Sequence, residues 1–350
     1  MAKTARQEVL YRQYRPQTFK EVKGQGQVTD VLAKAIKNKK ISHAYLFSGS
    51  RGTGKTSVAR ILAHELGVSA KDLYEIDAAS NRGIDDIRLL REGVYAMPFD
   101  SEYKFYIIDE AHMLTKDAWN AFLKTLEEPP AHAIFVLATT ERDKVPETIQ
   151  SRCEMYSFKQ PTREMLAEVV ADIAKKEGFS LERSAAELVA LLAEGSFRDA
   201  LSILQKVLAV SDNKKIEVAE VEEVAGAPRG ELVRQLLEAL AKKDAASALQ
   251  TIRTAVSENI DARVLAKLLI HRMRVVLLMR YAPDIADELA QELSAEDMGL
   301  AKSLSKEPGV NSETLRALLE AYGTMAYAAL PHLPLELAII NIGIHKNTPT

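Results

Sequence analysis

Gly49-Ser50-Arg51-Gly52-Thr53-Gly54-Lys55-Thr56 follows the apolar run Ala44-Tyr-Leu-Phe47 and precedes a stretch of helical spacing. A strand before and a helix after are the context that a phosphate-binding loop requires. The glycines let backbone N–H groups turn inward around phosphate oxygens, and Lys55 can reach the β- and γ-phosphates. The Thr56 hydroxyl suits Mg²⁺, and the positive end of the following helix adds to the attraction. An accidental glycine-rich turn is the alternative, and the flanking strand and helix weigh against it. The loop predicts ATP and Mg²⁺ as ligands, with contacts from Gly49, Ser50, Arg51, Gly52, Thr53, Gly54, Lys55, Thr56 and Ser57.

Working outward, further short apolar runs alternate with helix-period sequence: Leu73-Tyr-Glu-Ile76, Phe105-Tyr-Ile-Ile108, Ile134-Phe-Val-Leu137 and Met155-Tyr-Ser-Phe158. This is the pattern of an α/β domain with a parallel sheet and helical crossovers. The run at Phe105 ends in Asp109-Glu110. Asp109 suits Mg²⁺ coordination and Glu110 suits polarising an attacking water, although adjacent acids after a strand are often only a solvated turn. Asp109-Glu-Ala-His112 also spells a helicase-type box, but nothing else resembles a two-lobed helicase motor. Thr139-Thr140 ends the next run, where a hydroxyl can sense a γ-phosphate or simply cap the turn.

Other positions carry two readings each. Arg152, in Ser151-Arg-Cys153, is a loop arginine of the kind usually left in solvent. Arg198 sits beside Asp199, which can hold it in a surface ion pair of little energetic value. Cys153 reads as a small buried hydrophobe. Ser80-Asn81-Arg82 lies between a strand end and a helix start. Free N–H groups there, with Arg82, can hold a DNA phosphate, or the serine and asparagine can merely cap the helix.

The chain has 350 residues, 47% of them hydrophobic and 27% charged, enough for two or three cores and unlike a disordered chain. Its formal charge of −3 excludes a uniformly basic nucleic-acid binder. Residues 1–160 hold 24 Lys/Arg against 21 Asp/Glu, and the first forty alone hold 10 against 3. Any DNA contact is therefore expected from a local patch in the N-terminal half. One cysteine excludes a disulfide framework and a multi-cysteine zinc site. No run of about 18 apolar residues exists to span a membrane, and Met1-Ala-Lys-Thr-Ala-Arg6 opens no secretory signal, so a cytoplasmic protein is expected. The sequence divides into an α/β core over 1–160, a small helical domain over 161–226 and an all-helical domain over 227–347. Breaks in the last are expected at Pro283, Pro308 and Pro331.

Three more stretches carry a resemblance: Arg15-Pro16-Gln-Thr18-Phe19, Val22-Lys-Gly24-Gln25 and Leu123-Lys-Thr-Leu-Glu127-Glu128-Pro-Pro130. With the loop and the acidic strand end in this order, the chain resembles the gamma/tau subunits of bacterial DNA polymerase III, in the AAA+ clamp loader family. The match runs in full through about residue 205 and more loosely beyond. It implies an AAA+ P-loop core, a helical lid and a helical collar that oligomerises. Tyr14, Arg15 and Pro16 would pack near the adenine. Thr140 would take the sensor-1 place, Arg198 the sensor-2 place, and Arg152 that of an arginine finger acting on a neighbour's ATP. Ser80, Asn81 and Arg82 would face DNA phosphates. The implied partners are delta and delta-prime subunits, further copies of the chain, the β sliding clamp and primed DNA, at a replisome on the nucleoid. Two departures stand out. The family usually carries four zinc-binding cysteines where this chain has His64-Glu-Leu-Gly-Val-Ser-Ala-Lys-Asp-Leu73, so no zinc site is expected. The sequence also ends at Thr350, before the domains by which the tau form binds polymerase and helicase. Two rivals remain: another AAA+ motor such as a Holliday-junction helicase, which would lack the Leu123–Pro130 run, and a non-hydrolysing scaffold like delta-prime, which would have a damaged P-loop.

Overall fold

Each apolar run of the first half forms a strand. The computed structural model describes residues 8–81, 83–211, 213–282 and 295–344. Two compact units emerge: residues up to Leu166 with Ala193–Ser202, and Ala167–Leu192 with the chain from Ile203 onward.

In the first unit the order is α1 (Leu10–Gln13), α2 (Gly26–Lys37), β1 (Ala44–Ser48), α3 (Lys55–Glu65), β2 (Leu73–Asp77) and α4 (Ile84–Val94). Then come β3 (Lys104–Asp109), α5 (Lys116–Glu127), β4 (Ala133–Thr139), α6 (Glu147–Gln150) and β5 (Glu154–Ser157). The sheet runs β2-β3-β4-β1-β5 with every neighbouring pair parallel. Successive residues of a strand face opposite sides, so a strand covered on both faces must be apolar throughout. Ala44 and Leu46 pack with Phe135, Trp119 and Phe122 on one face. Tyr45 and Phe47 pack with Val136, Val58, Leu62 and Leu32 on the other. Fully burying one such side chain stabilises by about 1.5–3 kcal/mol, so both faces contribute heavily.

Parallel strands all end at one edge of the sheet. Ser48 is in register with Thr139, and Asp77 with Asp109, so these strand ends form one row. Ligands of open α/β sheets bind outside that edge.

The chain continues through α7 (Arg163–Lys176), β6 (Ser180–Leu181), α8 (Arg183–Leu192), α9 (Phe197–Val210), β7 (Lys215–Ile216) and α10 (Val218–Ala225). It then forms α11 (Gly230–Ala241), α12 (Ala245–Ser257) and α13 (Ala262–Tyr281), with later helices over Ala295–Leu304, Ser312–Thr324 and Leu333–Ile344. The two-residue parallel pairing of β6 with β7 is an addition to the expected helices. The core of the second unit gathers Leu236, Ile252, Leu269, Met273, Leu318 and Ile339, with Leu188 and Leu191 of α8 packed against it. Asp244 and Asp261 cap α12 and α13 by accepting N–H groups of their first turns. Pro308 and Pro331 fall between helices as expected; Pro283 lies outside the described residues. Among the described residues no helix is long and apolar enough to cross a membrane.

Candidate functional site

The Gly49–Thr56 loop joins β1 to α3, at the edge where the strands end. Gly49, Gly52 and Gly54 have φ of 150°, 73° and 100°, in the region that disfavours side chains. Gly52 is also pressed against the Ser196 segment. A Cβ there would lie 2.0 Å from Ser196 Oγ, and the Gly52 carbonyl accepts the Phe197 N–H at 3.1 Å. Lys55 opens α3 and is buried, its Nζ donating to the Gly49 and Ser50 carbonyls at 2.8 and 2.9 Å. Burial holds its pKa below the ordinary lysine value; Glu110 and Asp109 oppose the shift and Arg198 adds to it.

The ends of β3 and β4 bring the acidic groups to the same place. Thr56 Oγ1 donates to Asp109 Oδ2 at 2.8 Å, joining the P-loop helix to the acidic strand. A hydroxyl and a carboxylate are hard oxygen donors, and Mg²⁺ is usually held by one or two protein oxygens plus phosphate and water. The pair fits that ion. Among the described residues no group of three or more His, Cys, Asp or Glu could hold a metal alone. Glu110 has left-handed backbone angles, φ 48° and ψ 42°, uncommon for a side-chain-bearing residue and typical of constrained sites. Its Oε2 accepts the Thr140 hydroxyl at 3.3 Å. The neighbouring Thr139 is fully buried, and its carbonyl accepts the Gly49 N–H at 3.2 Å.

Gln25, the last residue of the Val22–Gln25 stretch, and His112 complete the scaffold. Gln25 is fully buried: its Nε2 donates to Lys159 O at 2.7 Å and Thr53 O at 3.3 Å, and its Oε1 accepts the Lys159 N–H at 3.1 Å. It ties the P-loop to the strand end after β5. His112 stands beside Glu110 with Nδ1 3.0 Å from Thr139 Oγ1. Its place in Asp109-Glu-Ala-His112 was the only signal available for it; the Gln25 contacts had none beyond the Val22–Gln25 signature.

Tyr14 and Arg15 follow α1. Burial lowers the Arg15 pKa, and Arg60, Arg198 and Arg12 lower it further against Glu75. Arg60 pairs with Glu75 at 2.5 Å, and the Arg198 guanidinium lies 5.8 Å from the Tyr11 ring centroid. Guanidinium groups thus gather around Arg15, and Arg198 also acts on the P-loop lysine, a setting that suits an anionic ligand.

Arg152 does not stand free in solvent. It donates to Thr148 O at 2.6 Å and pairs with Glu127 at 2.6 Å, the first glutamate of the Leu123–Pro130 run. It precedes β5, which is parallel to β1, so it lies at the opposite edge of the sheet from the P-loop. Ser80 and Asn81 are exposed and bonded to the Asp77 turn: Ser80 Oγ donates to Asp77 Oδ2 at 3.1 Å and Asn81 Nδ2 to Asp77 O at 3.1 Å. Arg82 lies outside the described residues. Cys153 is half-buried, and burial pushes its thiol up to about 12, which makes it a poor nucleophile.

Comparison with known proteins covers most of the chain. The family model for the DNA polymerase III delta subunit matches residues 24–75 and 67–162. The model for the ATPase lid domain of the DNA polymerase III clamp loader subunit matches 165–213, and that for domain III of subunits gamma and tau matches 216–350. DNA polymerase III subunit tau of Bacillus subtilis (strain 168) is 37% identical over 96% of this chain and 63% of its own length. The tau subunit of Escherichia coli (strain K12) is 32% identical over 98% of this chain and 56% of its own. The gamma/tau subunit of Mycobacterium tuberculosis (strain H37Rv) is 37% identical over 94% and 61%. The chain thus spans about three-fifths of the length of these relatives. Among solved structures, the Thermotoga maritima RuvB Holliday junction branch migration motor aligns with a TM-score of 0.52 at 23% identity, over 65% of this chain and 79% of that one. That likeness concerns the AAA+ fold.

Proposed function

Because the chain belongs to the gamma/tau family of bacterial DNA polymerase III, AAA+ proteins of the clamp loader, we propose that it binds ATP with Mg²⁺ and hydrolyses it to open a β sliding clamp and load it on primed DNA. The observation that carries this reading is the convergence of Lys55, Thr56, Asp109, Glu110 and Thr140 at one sheet edge, with Thr56 and Asp109 2.8 Å apart. Lys55 would exchange the Gly49 and Ser50 carbonyls for β- and γ-phosphate oxygens. Thr56 and Asp109 would hold Mg²⁺, which when bound neutralises charge on those phosphates. Glu110 would orient the attacking water and Thr140 would hold Glu110 or sense the γ-phosphate. Gly49, Ser50, Arg51, Gly52, Thr53, Gly54 and Ser57 would contribute loop contacts, with Tyr14, Arg15 and Pro16 near the base. Arg198 would act on the chain's own ATP. Arg152, at the far edge of the sheet, would act on a neighbour's.

In this reading residues 1–160 are the nucleotide core, 161–226 the lid and 227–347 the collar. The partners are delta and delta-prime subunits, further copies of the chain, the β clamp and primed DNA, the last through Ser80, Asn81 and Arg82. The site of action is the cytoplasmic replisome. A zinc ion is not part of this reading, since one cysteine supplies no multi-cysteine site. A Holliday-junction motor shares only the fold, and a scaffold that does not hydrolyse ATP has no need of this intact loop. Titration of labelled ATP against wild type and Lys55→Ala tests the assignment: loss of binding in the variant is expected, and equal affinity overturns it. Turnover by the chain with delta, delta-prime, β clamp and primed DNA then tests the loading role, with stimulation by clamp and DNA together as the expected result.

A further inference from the structure

His112 is a side chain at the strand-end edge that the proposed chemistry leaves unused. Its ring is almost wholly enclosed, 7% exposed, and lies between two carboxylates. Nδ1 is 3.5 Å from Glu110 Oε2 and Nε2 is 3.4 Å from Glu141 Oε1. Glu141 in turn pairs with Lys144 at 2.8 Å. The closest polar contact is with Thr139, whose Oγ1 lies 3.0 Å from Nδ1. That same oxygen accepts the Glu141 N–H at 3.0 Å, so its own proton is available to the ring. Nδ1 and Thr139 Oγ1 share one hydrogen bond while Nε2 faces Glu141, so both ring nitrogens have polar neighbours that fix the ring.

The backbone reinforces the placement. His112 sits in the short 3-10 turn Ala111–Met113, launched by the left-handed Glu110. The ring and the Glu110 carboxylate are therefore two residues apart on a turn with little freedom. Thr139 is also the residue whose carbonyl receives the P-loop N–H of Gly49. One buried threonine thus joins the loop to the ring, and the ring borders the carboxylate.

We propose that His112 is a positioning residue for hydrolysis: held by Thr139 and Glu141, it confines the Glu110 carboxylate to the place where Thr140 can bond it and a water can meet it. The proposal rests on the ATPase reading above. Displacing a reacting group by about 1 Å can cost on the order of 10²-fold in rate, whereas phosphate binding uses the loop and Lys55. His112→Ala should therefore lower kcat by about 10- to 100-fold while leaving the Kd for a non-hydrolysable ATP analogue within about threefold, well inside a tenfold, 1.4 kcal/mol change. His112→Asn, whose amide reaches the Nδ1 position, should recover part of kcat. The experiment measures analogue Kd, kcat and KM, and Tm for the full chain as wild type, His112→Ala, His112→Asn and Lys55→Ala. Wild-type turnover with an inactive Lys55→Ala supports the ATPase reading on its own. Given that, an unchanged kcat in His112→Ala overturns the proposal alone. So does a parallel loss of Kd and kcat, in either variant, with a lowered Tm and no recovery in His112→Asn, since that is merely a folding defect. A wild type that neither binds nor hydrolyses ATP overturns both.

Discussion

At Glu110 a single atom separates two expected behaviours. The carboxylate is placed by a left-handed backbone and a threonine hydroxyl, so replacing one oxygen by an amide changes chemistry with little change of shape. Glu110→Gln should bind ATP as wild type does and lose turnover by about 10²–10⁴-fold, the usual contribution of a positioned base. Paired binding and steady-state assays check this, and normal turnover in the variant removes Glu110 from the base role. Gly52 is the contrasting case, where a side chain is forbidden. Gly52→Ala meets a positive φ of 73° and a Cβ position 2.0 Å from Ser196 Oγ. The backbone term alone costs about 1 kcal/mol. The contact must also displace the loop, so both Tm and ATP affinity should fall. A Gly52→Ala, Ser196→Gly double variant should regain part of the loss if the serine contact is the cause, which differential scanning and titration can read.

At the scale of elements, the segment between α3 and β2 is organised by one carboxylate. Asp72 is fully buried and accepts the N–H groups of Phe99, Asp100 and Ser101 at 2.6, 2.9 and 2.9 Å, while Ser69 Oγ donates to it at 3.2 Å. It pins the loop before β3 to the turn before β2, in the stretch where the family usually carries four cysteines. Burial opposes ionisation there, but the Phe99, Asp100 and Ser101 N–H groups and the Ser101 hydroxyl outweigh it and hold the carboxyl down at about 2. A folded value below the ordinary 3.8 means that Asp72 stabilises above about 3.8 and that the contribution is lost as pH falls towards about 2. Asp72→Asn turns an amide NH₂ towards N–H donors and leaves at least one buried donor unpaired, at a cost of about 1–3 kcal/mol. Urea unfolding at pH 7 should show that difference, and it should shrink between pH 4 and pH 2. A gap independent of pH would mean that the amide's shape, and not the charge, is responsible.

At the scale of the whole molecule the parallel sheet separates the P-loop from Arg152. The P-loop lies at the edge where the strands end, and Arg152 at the edge where β5 begins. An arginine so placed is suited to a second subunit's phosphates, and such residues are worth about 10³–10⁵ in rate. Arg198 in the same chain can supply part of that charge. Arg152→Ala should leave ATP binding to the isolated chain nearly unchanged and sharply reduce DNA-stimulated hydrolysis by the assembled complex. Mixing Arg152→Ala with Lys55→Ala should restore some hydrolysis, because each supplies at a shared interface what the other lacks. Loss of ATP binding by isolated Arg152→Ala would place the residue in its own chain's site instead. The ion pair with Glu127, part-exposed on both sides, is worth at most about 1 kcal/mol and does not prevent Arg152 from turning to a second subunit.

The P-loop, the five strands and the acids at the end of β3 were legible in the sequence because each depends on residues close together in the chain. A glycine pattern sets positive φ, and an unbroken apolar run such as Phe105–Ile108 requires cover on both faces whatever covers it. The helices after Arg163 followed from spacing and prolines in the same way. Other features depend on how distant segments return to one another. Gln25 meets Lys159 across 134 positions, Asp72 meets Phe99 across 27, Arg152 meets Glu127 across 25, and β6 pairs with β7 over two residues too short to carry a pattern. A buried amide or carboxylate can be satisfied by any nearby backbone, so its residue type names no partner. Strand order decided which partners were near: placing β4 between β3 and β1 is what sets Thr139 beside both Gly49 and His112.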